Sequence, residues 1–154
     1  MQPPAYVSPF SDDAQIADDD LLYRRISRLW IDWSPVKDSG QPRIRRAAFQ
    51  DFKEAEAQAR GLPGACMSVG VASVLQQNGR EPMDLLEGWG EGYGLASLLV
   101  RDVRARKQGV TMSPTPDEPW HGIVFSMEGP KRTGSMEKGL AEVARWVHIP
   151  DQEE

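Results

Sequence analysis

His121, His148 and Cys66 are the side chains of this chain best suited to proton transfer or nucleophilic attack, and neither they nor the carboxylates stand at metal-binding spacing. No metal and no cofactor are expected. His121 follows Pro119 and Trp120, with Asp117 and Glu118 just upstream, and a histidine paired with either carboxylate could act as a general base. A satisfied structural imidazole is the plainer reading. His148 is expected in the last turn of a helix, where the macrodipole favours an imidazolium. Cys66 enters an apolar stretch beside Ser68; a helix N-terminus there could acidify its thiol, although a small buried side chain explains it without chemistry.

Two further patterns could bind a ligand. The run Gly88-Trp89-Gly90-Glu91-Gly92-Tyr93-Gly94 is glycine-rich, but phosphate-cradling loops follow a strand and open a helix. Here a weak helix precedes and a strand follows, so the run reads first as a flexible loop that packs Trp89 and Tyr93; if exposed, the two rings could instead form a binding lip. Between residues 24 and 60 there are nine bases against five acids. If Arg24, Arg25 and Arg28 lie on a strand beside the one carrying Arg43, Arg45 and Arg46, alternation puts Arg43 and Arg45 on one face, where guanidinium forks suit phosphate or carboxylate. Trp30 and Trp33 could then stack on bases. A solvated sheet edge guarded by charge, with the tryptophans in the core, is the plainer alternative.

The elements that must position these residues are legible in outline. Residues 21–33 mix helical and alternating spacing and are read as a strand or strand pair, given their β-branched and aromatic content and the stop at Ser34-Pro35. Residues 51–60 are helix formers ended by Gly61. Ser68 is placed to cap a helix carrying Val69, Ala72 and Leu75 as far as Asn78-Gly79. A helical turn over 82–89, a strand over 95–100, a short basic helix over 101–107 ended by Gly109, and strands over 110–112 and 120–127 follow. Ser135 is expected to cap an amphipathic helix that presents Met136, Leu140, Val143, Ala144 and Val147 on one face until Pro150. The pattern predicts the α+β class: a small mixed, mostly antiparallel sheet with three to four helices, the C-terminal amphipathic helix packed on the sheet.

Composition bounds the rest. The chain has 154 residues, 40% of them hydrophobic, enough for one core. The formal net charge of -5 sits at the ends: residues 1–20 and 151–154 hold eight acids and no bases, leaving fifteen acids against eighteen bases over 21–150. The expected organisation is an irregular acidic lead-in (1–20), a single α+β domain (21–150) and an acidic tail (151–154). A lone cysteine excludes an intramolecular disulfide framework, and neither a leader-like apolar segment nor a membrane-length run is visible. A cytoplasmic location away from the membrane is expected.

Leu22-Tyr23-Arg24-Arg25-Ile26, Ala47-Ala48-Phe49, Met67-Ser68-Val69, Gly94-Leu95-Ala96, His121 and Ala144-Arg145-Trp146-Val147 together resemble a family of small bacterial proteins with no assigned activity. A more distant similarity is to the ADP-ribosyltransferase fold. That likeness implies a dinucleotide held by an arginine on the first strand, Arg24, and a serine on a later one, Ser68, with Glu128 as the acid. The leading expectation is a bacterial accessory protein without catalytic activity, its reactive side chains scattered, making protein–protein contacts through Arg43, Arg45, Arg46, Trp89 and Tyr93. The alternatives are a small nucleotide-handling enzyme using Arg24, Ser68 and His121 in one cleft, and a nucleic-acid-binding module using the Arg43–Arg46 face.

Overall fold

The computed structural model describes residues 6–152. Six strands form one sheet: β1 (Leu21–Ile26), β4 (Met67–Val71), β5 (Gly94–Leu99), β6 (Gln108–Met112), β7 (His121–Ser126) and β8 (Arg145–His148), in the order β6-β7-β4-β1-β5-β8. Every pairing is antiparallel. Two short strands, β2 (Ile31–Asp32) and β3 (Arg43–Ile44), pair with each other beside it. The α+β class is thus borne out.

Helices are short except the last. They are α1 (Val36–Ser39), α2 (Glu54–Ala59), α3 (Ala72–Gln77), α4 (Val100–Ala105) and α5 (Gly134–Val143), so the expected three to four become five if the single turn of α1 is counted. Thr133, rather than the expected Ser135, caps α5 by accepting from the Met136 amide. Among the described residues no helix is long and apolar enough to cross a membrane.

Alternation along the strands divides the core. Leu22, Ile26, Met67, Val69, Val71, Ala96, Leu98 and Val124 join Phe49 and Leu140 in the main cluster, where α5 packs. The opposite face is shared by a smaller cluster of Leu75, Leu85, Leu95 and Trp120 and another of Cys66, Ile123 and Phe125.

Three sequence expectations fail where pairing between distant segments overrides local pattern. Ser68 does not cap a helix; it lies within β4, and α3 begins only at Ala72. The C-terminal helix stops at Val143, and residues 145–148 form the edge strand β8, which takes His148 out of any helical turn and pairs it with Leu95. Gly109 lies inside β6, and the turn out of α4 is made by Lys107 at φ 59°. The strand pair expected over residues 21–33 is found, but β1 does not neighbour β3, so Arg24 and Arg25 are not on a strand beside Arg43.

The lead-in lies on the domain where it is described. Ile16 is buried, the Asp13 amide donates to the Val110 carbonyl at 2.8 Å, and Asp12 and Asp18 pair with Arg104. Residues 1–5 of the lead-in and Glu153 and Glu154 of the tail lie outside the described residues.

Candidate functional site

The site begins as a fork in the sheet. β1 runs alongside β5 for six residue pairs, but it pairs with β4 only at Leu22–Val71 and Tyr23–Gly70. Beyond Tyr23 the two strands part, and the carbonyls that would have faced a neighbouring strand need another donor. Arg24 supplies it. By alternation it belongs with the core residues Leu22 and Ile26, and its guanidinium enters the gap, donating through Nη1 to the Ser68 carbonyl (3.0 Å) and through Nε to the Ala48 carbonyl (2.9 Å).

A cleft of about 610 Å³ opens over the fork, within the range of small-molecule sites. Ser68 and His121 meet in it: the β4–β7 register sets Gly70 opposite His121 and Ser68 opposite Ile123, so both side chains rise from one face. Ser68 Oγ lies 2.9 Å from His121 Nε2, and His121 Nδ1 lies 2.8 Å from the Ser113 carbonyl. A carbonyl only accepts, so Nδ1 carries the proton; in the neutral ring Nε2 is then the acceptor and Ser68 Oγ–H donates to it. The expected histidine–carboxylate pair is absent: Glu118 instead pairs with Arg25 at 3.3 Å.

Aromatic rings and cations form the walls. The Arg25 guanidinium stacks 4.4 Å from the Trp89 ring centre while its Nε donates to the Leu85 carbonyl, and Trp89 meets Tyr93 edge-on at 5.4 Å. Gly88 and Gly90, at φ 80° and 91°, turn the loop that carries Trp89. Across the cleft, Arg60 lies 4.4 Å from the Phe52 ring centre, and Arg24 lies 5.6 Å from that of Trp30.

Charge at the fork is unbalanced. Asp51 is committed to the fully buried Arg132, through Nη2 at 2.7 Å and through the Arg132 amide at 2.7 Å. Arg24 has only carbonyl acceptors among the described residues. Burial, then the cations of Arg132 and Arg25, pull its guanidinium down to about 10, with Asp51 opposing them. It remains charged at neutral pH, and an arriving anion would relieve this repulsion.

The expectation that the reactive side chains are scattered is therefore overturned: Arg24, Ser68, His121, Trp89 and Tyr93 all line one cleft. Arg43, Arg45 and Arg46 are elsewhere, along a groove of about 800 Å³ that also holds Lys138, Asp32 and Glu142, and Arg43 is paired with Asp32 at 3.2 Å. Glu128 cannot be the acid of an ADP-ribosyltransferase-like set. It follows the far end of β7 from His121, roughly 17 Å away along the strand, and pairs with Lys107. Cys66 is buried, and burial followed by Asp51 pushes its thiol up to about 11, the reverse of acidification.

Phe52 and Arg60 were not read from sequence as parts of a site, and Arg25 was read only within the basic run expected beside Arg43. Among the described residues no group of three or more His, Cys, Asp or Glu side chains is placed to hold a metal ion. Comparison with protein-family models, curated proteins and solved structures gives no match.

Proposed function

We propose that this chain is a small bacterial, cytoplasmic nucleotide-handling protein that binds a phosphorylated, ring-bearing ligand in the forked cleft. One observation carries the reading: the half-buried Arg24 guanidinium, without a carboxylate partner among the described residues, sits at the base of a cleft walled by aromatic rings and floored by Ser68 and His121. A phosphate would supply the missing counter-charge through charge-assisted hydrogen bonds, and a base or ribose would cover Trp89, Tyr93 or Phe52.

Titration calorimetry with nucleoside mono-, di- and triphosphates and dinucleotides tests it. At least one class binds, and Arg24→Met, which keeps the length of the side chain, weakens that binding by roughly 10- to 100-fold, the usual loss for a charged hydrogen bond. Arg43→Ala and Arg45→Ala leave it unchanged. No heat with any nucleotide, or equal affinity in Arg24→Met, would refute the proposal.

A second reading, an accessory protein without catalytic activity that contacts another protein, is favoured by Leu29 and Trp89. Both are exposed, Leu29 on the single helical turn Arg28–Trp30 and Trp89 on the glycine loop, which meet where Arg28 lies against Gly92. It gains ground if nucleotides leave the unfolding temperature unmoved.

A further inference from the structure

We infer that Ser68 is the nucleophile of a phosphoryl-transfer reaction, with His121 as its base, acting on a phosphate held in the fork. The identity of the electrophile rests on the nucleotide reading above; the nucleophile rests on hydrogen-bond geometry alone. A serine hydroxyl is a weak nucleophile until a neighbouring base removes its proton. Ser68 has such a base at 2.9 Å, and the base has its own orienting group.

That orienting group is held firmly. Ser113 and His121 exchange two hydrogen bonds, the Ser113 amide donating to the His121 carbonyl at 2.8 Å and His121 Nδ1 donating to the Ser113 carbonyl at 2.8 Å. The His121 amide is fixed as well, donating to the Glu118 carbonyl at 3.0 Å. Backbone at the joined ends of β6 and β7 therefore sets both the tautomer and the plane of the ring, as the third member of a nucleophile–base–orienter set must. Ser68 in turn is fixed by β4, whose pairing with β7 continues on either side of it.

The surrounding charge selects the reaction class. The Ser68 carbonyl accepts from Arg24, so one guanidinium stands beside the nucleophile's own backbone, and Arg25, paired with Glu118, lines the same cleft. Such cations match the negative oxygens of a phosphoryl group in flight. In the first step Ser68 Oγ bonds to phosphorus while its proton passes to His121 Nε2. The bond from phosphorus to the leaving oxygen breaks with its electron pair, and that oxygen takes the proton from Nε2. Water then attacks the phosphoserine, giving a proton to Nε2, which returns it to Ser68 Oγ as inorganic or nucleoside phosphate departs.

The full chain is treated with a fluorophosphonate probe and mapped by peptide mass spectrometry. Ser68 is expected to be phosphonylated with loss of fluoride, Ser68→Ala to show no label there, and His121→Ala to react at least about 100-fold more slowly, the lower bound for general-base assistance. Ser68→Cys provides a second route: its thiol is alkylated by iodoacetamide, and adding His121→Ala slows that reaction. Unfolding midpoints close to that of the parent protein show that each variant is folded. An unlabelled Ser68, or equal labelling rates with and without His121, overturns the inference. Nucleotide binding without labelling removes the nucleophile and leaves the nucleotide reading intact, whereas labelling without nucleotide binding removes the nucleotide reading and the phosphoryl electrophile with it.

Discussion

Arg24 and Arg132 are neighbours with opposite tasks, and their partners separate them. Arg132 has a buried counter-ion: its Nη2 lies 2.7 Å from Asp51 Oδ1 as an ion pair, its amide donates to Asp51 Oδ2, and Nε and Nη1 donate to the carbonyls of Phe49 and Val124. Losing either member of that pair would strand a buried charge, so its role is structural. Arg24 is half-buried with only carbonyl acceptors and lines the cleft, which is the arrangement expected of a ligand anchor. Cys66 lies close enough to Asp51 and Arg132 to feel both. Its thiol is raised from 9.0 to about 11, so the folded protein holds this proton more tightly than the unfolded chain does. The resulting stability is complete below about pH 9 and is lost as pH rises from there towards 11, by at most about 3 kcal/mol. Urea unfolding at stepped alkaline pH should show this fall, and Cys66→Ala should flatten it. At pH 8 the native thiol should resist a disulfide-exchange reagent that reacts at once after unfolding; rapid reaction in the native state would contradict the burial.

At the scale of elements, the edge strand β8 depends on one glycine. A Cβ at Gly94 would lie 2.8 Å from the His148 carbonyl oxygen and 2.8 Å from the Trp146 ring, where β5 and β8 change register. Gly94→Ala should therefore loosen β8, costing about 1–3 kcal/mol of stability and speeding amide exchange over residues 145–148. Unchanged exchange there would show that the strand can shift to accommodate a methyl group. β8 also shows why parts of the fold were not legible in the sequence. Leu140, Val143, Ala144 and Val147 do keep helical spacing, and the switch to strand after Ala144 comes from pairing with β5, fifty residues away in sequence. The same competition turns the supposed cap residue Ser68 into a strand residue between partners on β7. Local signals did suffice for α2, β5 and β7, and for the existence of α5 though not its cap, where composition and stops agree. Arg24, Ser68 and His121 were recognisable as separate polar residues beside apolar elements. Their meeting in one cleft stood only as an alternative to scattered placement, because it follows from the parting of β1 and β4, which no short-range pattern records.

Over the whole molecule, the acidic lead-in guards an edge. β6 is the outermost strand on its side of the sheet, and the outward groups of Val110 are taken by the lead-in: its carbonyl by the Asp13 amide and its amide by Asp12 Oδ1 at 2.9 Å. Left open, such an edge is a template for pairing with another chain. The anchor is partly electrostatic. Arg104 holds Asp12 at 3.0 Å and Asp18 at 2.7 Å and donates to the Asp13 carbonyl, while Ile16 is buried and Phe10 packs 5.0 Å from the Phe125 ring centre. These carboxylates thus lie on Arg104, not across the Arg43–Arg46 groove, which they would have to cover to mask a basic face. Because the ion pairs are partly exposed, salt screens them, so the lead-in should detach more readily near 1 M salt than at 0.1 M. Arg104→Gln should reproduce that release at low salt, with protease cleavage between residues 6 and 20 at least about tenfold faster and no further response to salt. A tenfold change in cleavage corresponds to about 1.4 kcal/mol in the opening equilibrium, comparable to losing one or two such bonds. Cleavage that is equally slow in Arg104→Gln would mean that burial of Ile16, and not the ion pairs, holds the segment down.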